Sequence, residues 1–407
     1  MDWTFLIADK HSLTVTTDSR KVTPGCVFVA LKGEHFDGNL FVEQAREAGA
    51  AYVIYGDDAL VQLQDLARAW VTQWRNLPSS IGKTRPVIAI TGTNGKTTTK
   101  ELTAAVLSIR YRVRYTQGNY NNALGVPLTL LTLTADDEIA VVEMGASHPG
   151  DIQELVEIAE PDYGLITNVG RAHLQGFGSF EGVMQTKGEL YDYLVAHNGS
   201  VFRNTDNAYL QQMWDASLSC YLNRIGCSKW QGKEYLYHRI PMPEGTHLVG
   251  DYNAENIAAA LCIGERFGIS REEGMQAIRA YIPSNNRSQL LRTNHNTVVV
   301  DAYNANPTSM EAAMQAFAGD TFILGAMREL GDYTHTAHQN VVNMLAERKA
   351  NCVYLVGAEY RDTTSPYPVY DTVEELKDYL TNHPLHGRHI LLKGSRSTRM
   401  EQLIEVL

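Results

Sequence analysis

Cysteine is scarce. The five residues (Cys26, Cys220, Cys227, Cys262 and Cys352) are odd in number and show no CxxC spacing. That excludes a complete disulfide framework and a cysteine-based zinc site, and it points to a reducing compartment. Positive charge is also short: 35 lysines and arginines face 46 acidic residues, a formal net charge of -11. A uniformly basic nucleic-acid surface is therefore excluded, and any anionic ligand must be met by local clusters of cations. Long apolar runs are missing as well. The N-terminal stretch MDWTFLIADKHS meets charge at once and does not read as a signal peptide, and no run is long enough to span a membrane. Low-complexity tracts and solenoid repeats are absent. The expectation is a soluble, cytoplasmic, globular protein, and 407 residues suit two or three domains.

What is present falls into three stretches. Residues 1–84 mix short strand-like runs (27–31 and 51–55) with an amphipathic stretch over 41–48, a small α/β unit. Turn formers crowd 76–86, which reads as a linker. From Val87 the pattern alternates: strands at 87–91, 139–143 and 164–168, helices at 100–109 and 151–160, and closing helices near 254–267 and 271–280. Apolar strands alternating with helices predict a mostly parallel sheet covered on both faces, over residues 85–285. A second alternating series, with strands at 297–301, 321–325, 352–356 and 389–393, predicts a separate doubly wound domain over 286–407.

The sharpest local signal is Ile88-Ala-Ile-Thr-Gly-Thr-Asn-Gly-Lys-Thr-Thr-Thr99. A strand runs into a glycine-rich turn that opens a helix. Gly92 and Gly95 let the backbone curl so that several N–H groups face one anion, and the helix N-terminus adds its positive dipole end. Lys96 supplies a point charge for β- and γ-phosphates, and the Thr97 hydroxyl is placed to ligate magnesium. Ile90 stands where the longer standard loop has its first glycine, so this is a shortened variant. Glu143 ends the next strand, where an acid can hold magnesium, and Asn168 and His173 follow the one after. Ligands of open α/β sheets bind at the carboxyl ends of strands, so these groups converge on one crevice. Lys187, on a helix, reads by spacing alone as an exposed lysine.

The run Thr91-Gly-Thr-Asn-Gly-Lys-Thr97 with Glu143, His173 and Lys187-Gly-Glu189 resembles the Mur ligase family over nearly the whole chain. Four further stretches narrow the likeness to the branch that adds D-alanyl-D-alanine to UDP-N-acetylmuramoyl-tripeptide. They are Thr17-Asp-Ser-Arg20 with Phe28-Val-Ala-Leu-Lys-Gly33, Gly118-Asn-Tyr-Asn-Asn-Ala-Leu-Gly-Val-Pro127, Asp301-Ala-Tyr-Asn-Ala-Asn-Pro-Thr-Ser-Met310 and Lys393-Gly-Ser-Arg396. The resemblance implies an N-terminal domain for the UDP-sugar, a central P-loop-type ATPase domain and a C-terminal Rossmann-like domain that closes over the site, in a monomer. It places ATP against Gly92, Thr93, Asn94, Gly95, Lys96, Thr97, Thr98, Asn256, Arg287 and Asp301. Two magnesium ions would lie on Thr97, Glu143, His173 and a carbamylated Lys187. Lys96, Lys187, His173 and Arg287 would serve the chemistry, and Ser19, Arg20, Asn121, Asn122, Asn304, Lys393 and Arg396 the substrates. Two positions depart from the family pattern: Asn39 stands where histidine is usual, and Ala326 where aspartate is usual.

A carboxylate does not condense with an amine in water because hydroxide leaves too poorly. Passing the γ-phosphoryl group to the carboxylate makes an acyl phosphate, and phosphoryl transfer asks chiefly for positioning and charge neutralisation. Two alternatives stay open. A folylpolyglutamate synthase-like ligase shares the central chemistry but lacks the Thr17-Asp-Ser-Arg20 domain. A nucleotide-binding regulator without catalysis has no reason to keep Lys96, Glu143, His173 and Lys187 together.

Overall fold

A computed structural model describes the chain except residues 1, 9, 83, 226–228 and 284–286. Cys227 and the expected domain boundary at 285–286 lie outside the described residues.

The N-terminal part builds a three-stranded parallel sheet in the order Val15–Thr16, Val27–Val29, Tyr52–Ile54, with the short helix Val42–Glu47 beside it. A longer helix, Ala59–Arg75, then carries a stripe of Leu63, Leu66, Ala67, Trp70, Val71 and Trp74, all buried. Their spacing of three and four residues makes one apolar face. That face packs into the same core as Val87, Ala89 and Val142 of the central sheet and Val126 of the helix Gly125–Leu130. The indole N–H groups of Trp70 and Trp74 donate to the carbonyls of Leu133 and Asp137, each at 3.1 Å, so both large side chains bury without an orphaned donor.

The central sheet has six parallel strands in the order Glu234–Tyr237, Ser200–Asn204, Tyr163–Ile166, Val87–Thr91, Ile139–Glu143, Val113–Tyr115. Every residue of 87–91 and 139–143 is buried, as a strand covered on both faces requires. From Val87–Thr91 the chain runs through helix Lys96–Leu107 to the edge strand Val113–Tyr115 and returns to insert Ile139–Glu143 between them. The next strand lies on the other side of Val87–Thr91, so the strand order reverses at the mouth of the phosphate loop. The strand expected over 164–168 spans Tyr163–Ile166, which leaves Asn168 in the loop beyond it. The helix expected over 100–109 begins at Lys96, directly after the glycine turn. Helices Asn253–Arg266 and Arg271–Ala280, the second opened by a Ser270/Glu273 capping box, close one face.

The C-terminal sheet runs Gln289–Arg292, Thr297–Asp301, His389–Lys393, Thr321–Gly325, Cys352–Val356, Val369–Tyr370. Only its first pair is antiparallel. The four strands legible in the sequence have the bounds expected. The three-domain α/β architecture of small N-terminal unit, parallel central sheet and Rossmann-like C-terminal sheet is the one observed.

Candidate active site

The loop between Thr91 and Lys96 takes its shape from two glycines. Gly92 has φ +136° and Gly95 φ +80°, regions that side-chain-bearing residues rarely enter. Close approach reinforces both. A methyl group at Gly92 would come within 2.0 Å of the Thr167 hydroxyl, and one at Gly95 within 2.4 Å of Asn256 Oδ1. Asn168, in the loop just beyond the neighbouring strand, clamps this turn: its Oδ1 accepts the Asn94 N–H and its Nδ2 donates to the Asn94 carbonyl, each at 3.0 Å.

Lys96 folds back over this turn and donates to the carbonyls of Gly92 at 2.8 Å and Thr93 at 2.9 Å. Burial pulls its ammonium down to about 8, with Glu143 opposing and Arg287 adding to the shift. Thr97 points the other way and donates to Glu143 Oε2 at 2.9 Å. Asn121 Nδ2 donates to Glu143 Oε1, also at 2.9 Å. Thr97 and Glu143 together present hard oxygen donors at the start of the helix, the donor type magnesium takes.

Lys187 lies in helix Phe180–Ala196 and is only 2% exposed. Its Nζ sits 5.5 Å from the centre of the Phe177 ring, which packs in a T-shape against His173. Among the described residues no carboxylate lies within ion-pair distance of it. Glu189 is turned away, accepting the N–H groups of Gly150 and Gln153 at 2.8 Å each and so capping helix Asp151–Ala159. The spacing-based reading of an exposed lysine is therefore corrected. Burial, and next the positive charge of Lys96, hold the Lys187 amine far below the ordinary lysine range.

The C-terminal domain is docked over the loop. Asn306 Nδ2 donates to Asn94 Oδ1 at 2.9 Å, the Arg171 N–H donates to Thr308 Oγ1 at 3.2 Å, and His173 Nδ1 pairs with Glu329. Burial lowers the His173 pKa even though Glu329 works against it. Between the two domains lies a cavity of about 680 Å3, lined by Asn94, Lys96, Glu143 and Asn256 on one side and by Arg287, Asp301 and Lys393 on the other. The Arg287 guanidinium stacks 3.7 Å from the centre of the Tyr303 ring. Lys393, 1% exposed, pairs with Asp301 Oδ2 at 2.5 Å across two adjacent strand ends.

Thr93, Gly95, Thr98, Asn121, Asn122, His173 and Asn304 also line this cavity. Asn122 at the same time accepts the Gly125 N–H at 2.8 Å and starts the helix Gly125–Leu130. Asn256 accepts the Thr99 hydroxyl at 3.0 Å and donates to Asn253 Oδ1 at 2.9 Å. Gly92, Thr97 and Lys187 stand behind the lining. Ser19 and Arg20 are elsewhere, on a short turn of the N-terminal domain where Arg20 forms two 2.8 Å bonds to Asp18. Arg396 is exposed, its guanidinium 5.5 Å from the centre of the Tyr303 ring. At the departure sites, Asn39 Oδ1 accepts the Gly56 N–H at 2.9 Å, and Ala326 is fully buried. Sequence reasoning missed Lys100, Asn306 and Glu329. Lys100 lies one helical turn after Lys96, and Asn306-Pro307 carries an N-cap signature, so both left a trace. Glu329 left none, since only the fold brings it to His173. Among the described residues, no helix is long and apolar enough to cross a membrane.

Three family descriptions match in succession: "Mur ligase family, catalytic domain" over 13–107, "Mur ligase middle domain" over 90–264, and "Mur ligase, glutamate ligase domain" over 286–396. The UDP-N-acetylmuramoyl-tripeptide–D-alanyl-D-alanine ligase of Bacillus subtilis is 35% identical, over 97% of this chain and 92% of that one. Among solved structures, MurF from Acinetobacter baumannii superposes with a TM-score of 0.81 at 28% identity, covering 96% of this chain and 92% of that one. MurF ligase from Thermotoga maritima in complex with ADP also gives 0.81, at 26% identity, covering 98% and 97%. The chain belongs to the Mur ligase family.

Proposed function

We propose that this chain is the ATP-dependent ligase that joins D-alanyl-D-alanine to UDP-N-acetylmuramoyl-tripeptide, the last peptide addition of peptidoglycan precursor synthesis. The observation that carries the reading is the interdomain cavity. A phosphate loop with Lys96 and Glu143 faces Arg287, Asp301 and Lys393 across a space fit for a nucleotide and an acid side by side. Near-full-length likeness to ligases bearing that name, and to a relative crystallised with ADP, supports it.

The chemistry follows from the groups present. The loop N–H groups, the helix N-terminus and Lys96 take the β- and γ-phosphates, and Arg287 approaches from the opposite wall. The tripeptide carboxylate attacks the γ-phosphorus and ADP leaves, giving an acyl phosphate. The dipeptide amine, having lost a proton, attacks the acyl carbon; phosphate leaves and a second proton is released from nitrogen. Closure of the C-terminal domain keeps water from the acyl phosphate. Asp301, already held by Lys393, is assigned to ribose, and Asn256 to the adenine side. Ser19 and Arg20 are assigned to the UDP group, and Asn121, Asn122, Asn304, Lys393 and Arg396 to the peptide partners.

Thr97 and Glu143 would hold one magnesium ion, and His173 with a carbamylated Lys187 a second; bound magnesium neutralises phosphate charge. A buried Lys187 with no carboxylate partner among the described residues favours the carbamate. Burial pushes its amine toward the neutral form, the one that reacts with carbon dioxide, and the product offers oxygens in place of an ammonium. Phosphate release measured with each acid–amine pair tests the assignment. Turnover with the tripeptide nucleotide and D-alanyl-D-alanine is expected. Turnover only with a folate acid and glutamate, or none with any pair while ADP still binds, overturns it.

A further inference from the structure

We propose that Lys100 is a positioning residue for this reaction, holding loop 116–122 against the phosphate-loop helix so that Asn121 meets Glu143 and the loop presents its asparagines to the acid substrate. The inference rests on the function proposed above and names a residue that the family likeness left unassigned.

Lys100 follows Lys96 by one helical turn on the same face of helix Lys96–Leu107. Lys96 reaches the cavity, whereas Lys100 is 0% exposed and does not line it. Lysines are almost never fully buried without a defined task, because desolvating the ammonium costs several kcal/mol. Here the Nζ donates to the Thr116 carbonyl at 2.6 Å and lies 3.7 Å from Glu143 Oε2, 3.8 Å from Glu101 Oε1 and 5.6 Å from the Tyr115 ring centre.

Thr116 is the pivot. It is fully buried directly after the edge strand Val113–Tyr115, and its hydroxyl accepts the Glu143 N–H at 3.0 Å while its carbonyl accepts Lys100. The chain then leaves regular structure for the turn through Asn119, Tyr120 and Asn121. At the far end of that turn, Asn121 gives its side-chain amide to Glu143 Oε1 and its carbonyl to the Gly145 N–H at 2.7 Å. Loop 116–122 is thus fastened at both ends to one carboxylate and its surroundings. Lys100 is the charged group at the first fastening. A lysine that served only to fill the core would be replaceable by an apolar chain of equal length, often without loss. One that holds a functional loop would not be.

The test uses the full chain with K100Q and K100M. Three readings are compared with wild type: the Michaelis constant for the tripeptide nucleotide, ADP affinity by calorimetry, and amide exchange of residues 117–122. K100Q keeps a donor for the Thr116 carbonyl but loses reach and charge; K100M keeps neither. The expected result is faster exchange of 117–122 in both, and a Michaelis constant for the tripeptide nucleotide raised ~10-fold or more, as supporting residues behind a site typically show. ADP affinity should stay within ~3-fold of wild type, since the phosphate loop keeps its own clamp. Wild-type exchange with an unchanged Michaelis constant in K100M, whatever its melting temperature, overturns the proposal. So does a uniform loss of ADP and acid binding. A second variant keeps the test independent of how well the Lys100 variants fold. N121A breaks the other fastening of the same loop and should give the same split between acid and ADP. If N121A leaves the acid unaffected, the loop is not what Lys100 positions. Failure of the wild type itself to ligate would instead count against the proposed function.

Discussion

Asn306 serves two partners at once: its Nδ2 donates to Asn94 Oδ1 in the phosphate loop at 2.9 Å, and its Oδ1 accepts the Ser309 N–H at 2.9 Å, capping helix Pro307–Ala316. Docking of the C-terminal domain is therefore built on a helix cap. N306D separates the two roles, because aspartate caps as well as asparagine but cannot donate to Asn94. It should melt like wild type yet show a larger radius of gyration in small-angle scattering with ADP and the tripeptide nucleotide. N306A should lose both, with about 1 kcal/mol of stability going with the cap. A radius for N306D identical to wild type would count against a docking role for this contact.

Lys96→Ala should leave the fold intact and remove at least about 2–4 kcal/mol of barrier lowering, as loss of an electrostatic stabiliser does. The pH dependence has a definite sign. Burial sets the ammonium at about 8, so its charge is present below that pH and lost above it. ADP affinity should fall as pH rises through about 8, and the step should vanish in the alanine variant. Stability moves the other way. The unfolded lysine keeps its proton to the ordinary value of 10.5, so between about 8 and 10.5 the unfolded chain binds more protons and this group's contribution to stability rises with pH. Calorimetric ADP titrations on either side of pH 8 check the first claim. A flat profile would show that Lys96 does not carry the phosphate charge.

The carbamate reading of Lys187 is open to chemical rescue. Lys187→Ala should lose most activity and regain part of it with a short-chain carboxylic acid, which fits the vacated space and supplies oxygens. Magnetic resonance of wild type grown with labelled bicarbonate should show one protected carbamate carbon. Rescue by a small amine instead, or full activity of the alanine variant, would mean the residue acts as a cation or not at all.

Gly95→Ala asks for a left-handed alanine, a strain of about 1–2 kcal/mol, and drives the new methyl into Asn256 Oδ1. Both effects distort the turn that faces the phosphates. A lower melting temperature together with weakened ADP binding is expected, whereas Gly82→Ala, in open space, should change neither. Wild-type ADP affinity in Gly95→Ala would show that the turn tolerates a side chain.

Local patterns carried the architecture. The apolar runs 297–301, 321–325, 352–356 and 389–393 fall on four strands with unchanged bounds because a strand buried on both faces has almost no other reading. The phosphate loop was legible for a similar reason: its glycines, lysine and threonine are adjacent in sequence, and the backbone geometry they require is local. The tryptophan-bearing helix Ala59–Arg75 shows the limit. Its heptad-like stripe could announce a helix but not that the stripe would lie in the core of the following domain. Tertiary structure alone decided which charges meet. Glu329 reaches His173, Asn306 reaches Asn94, and Lys393 meets Asp301 through contacts between residues 92 to 212 positions apart. Lys187 belongs to the same class, since its spacing suggests solvent and only the packing of helix Phe180–Ala196 within the fold buries it. Periodicity encodes which face of an element is apolar, but the pairing of polar groups across elements depends on how those faces are stacked, and that is set by the fold as a whole.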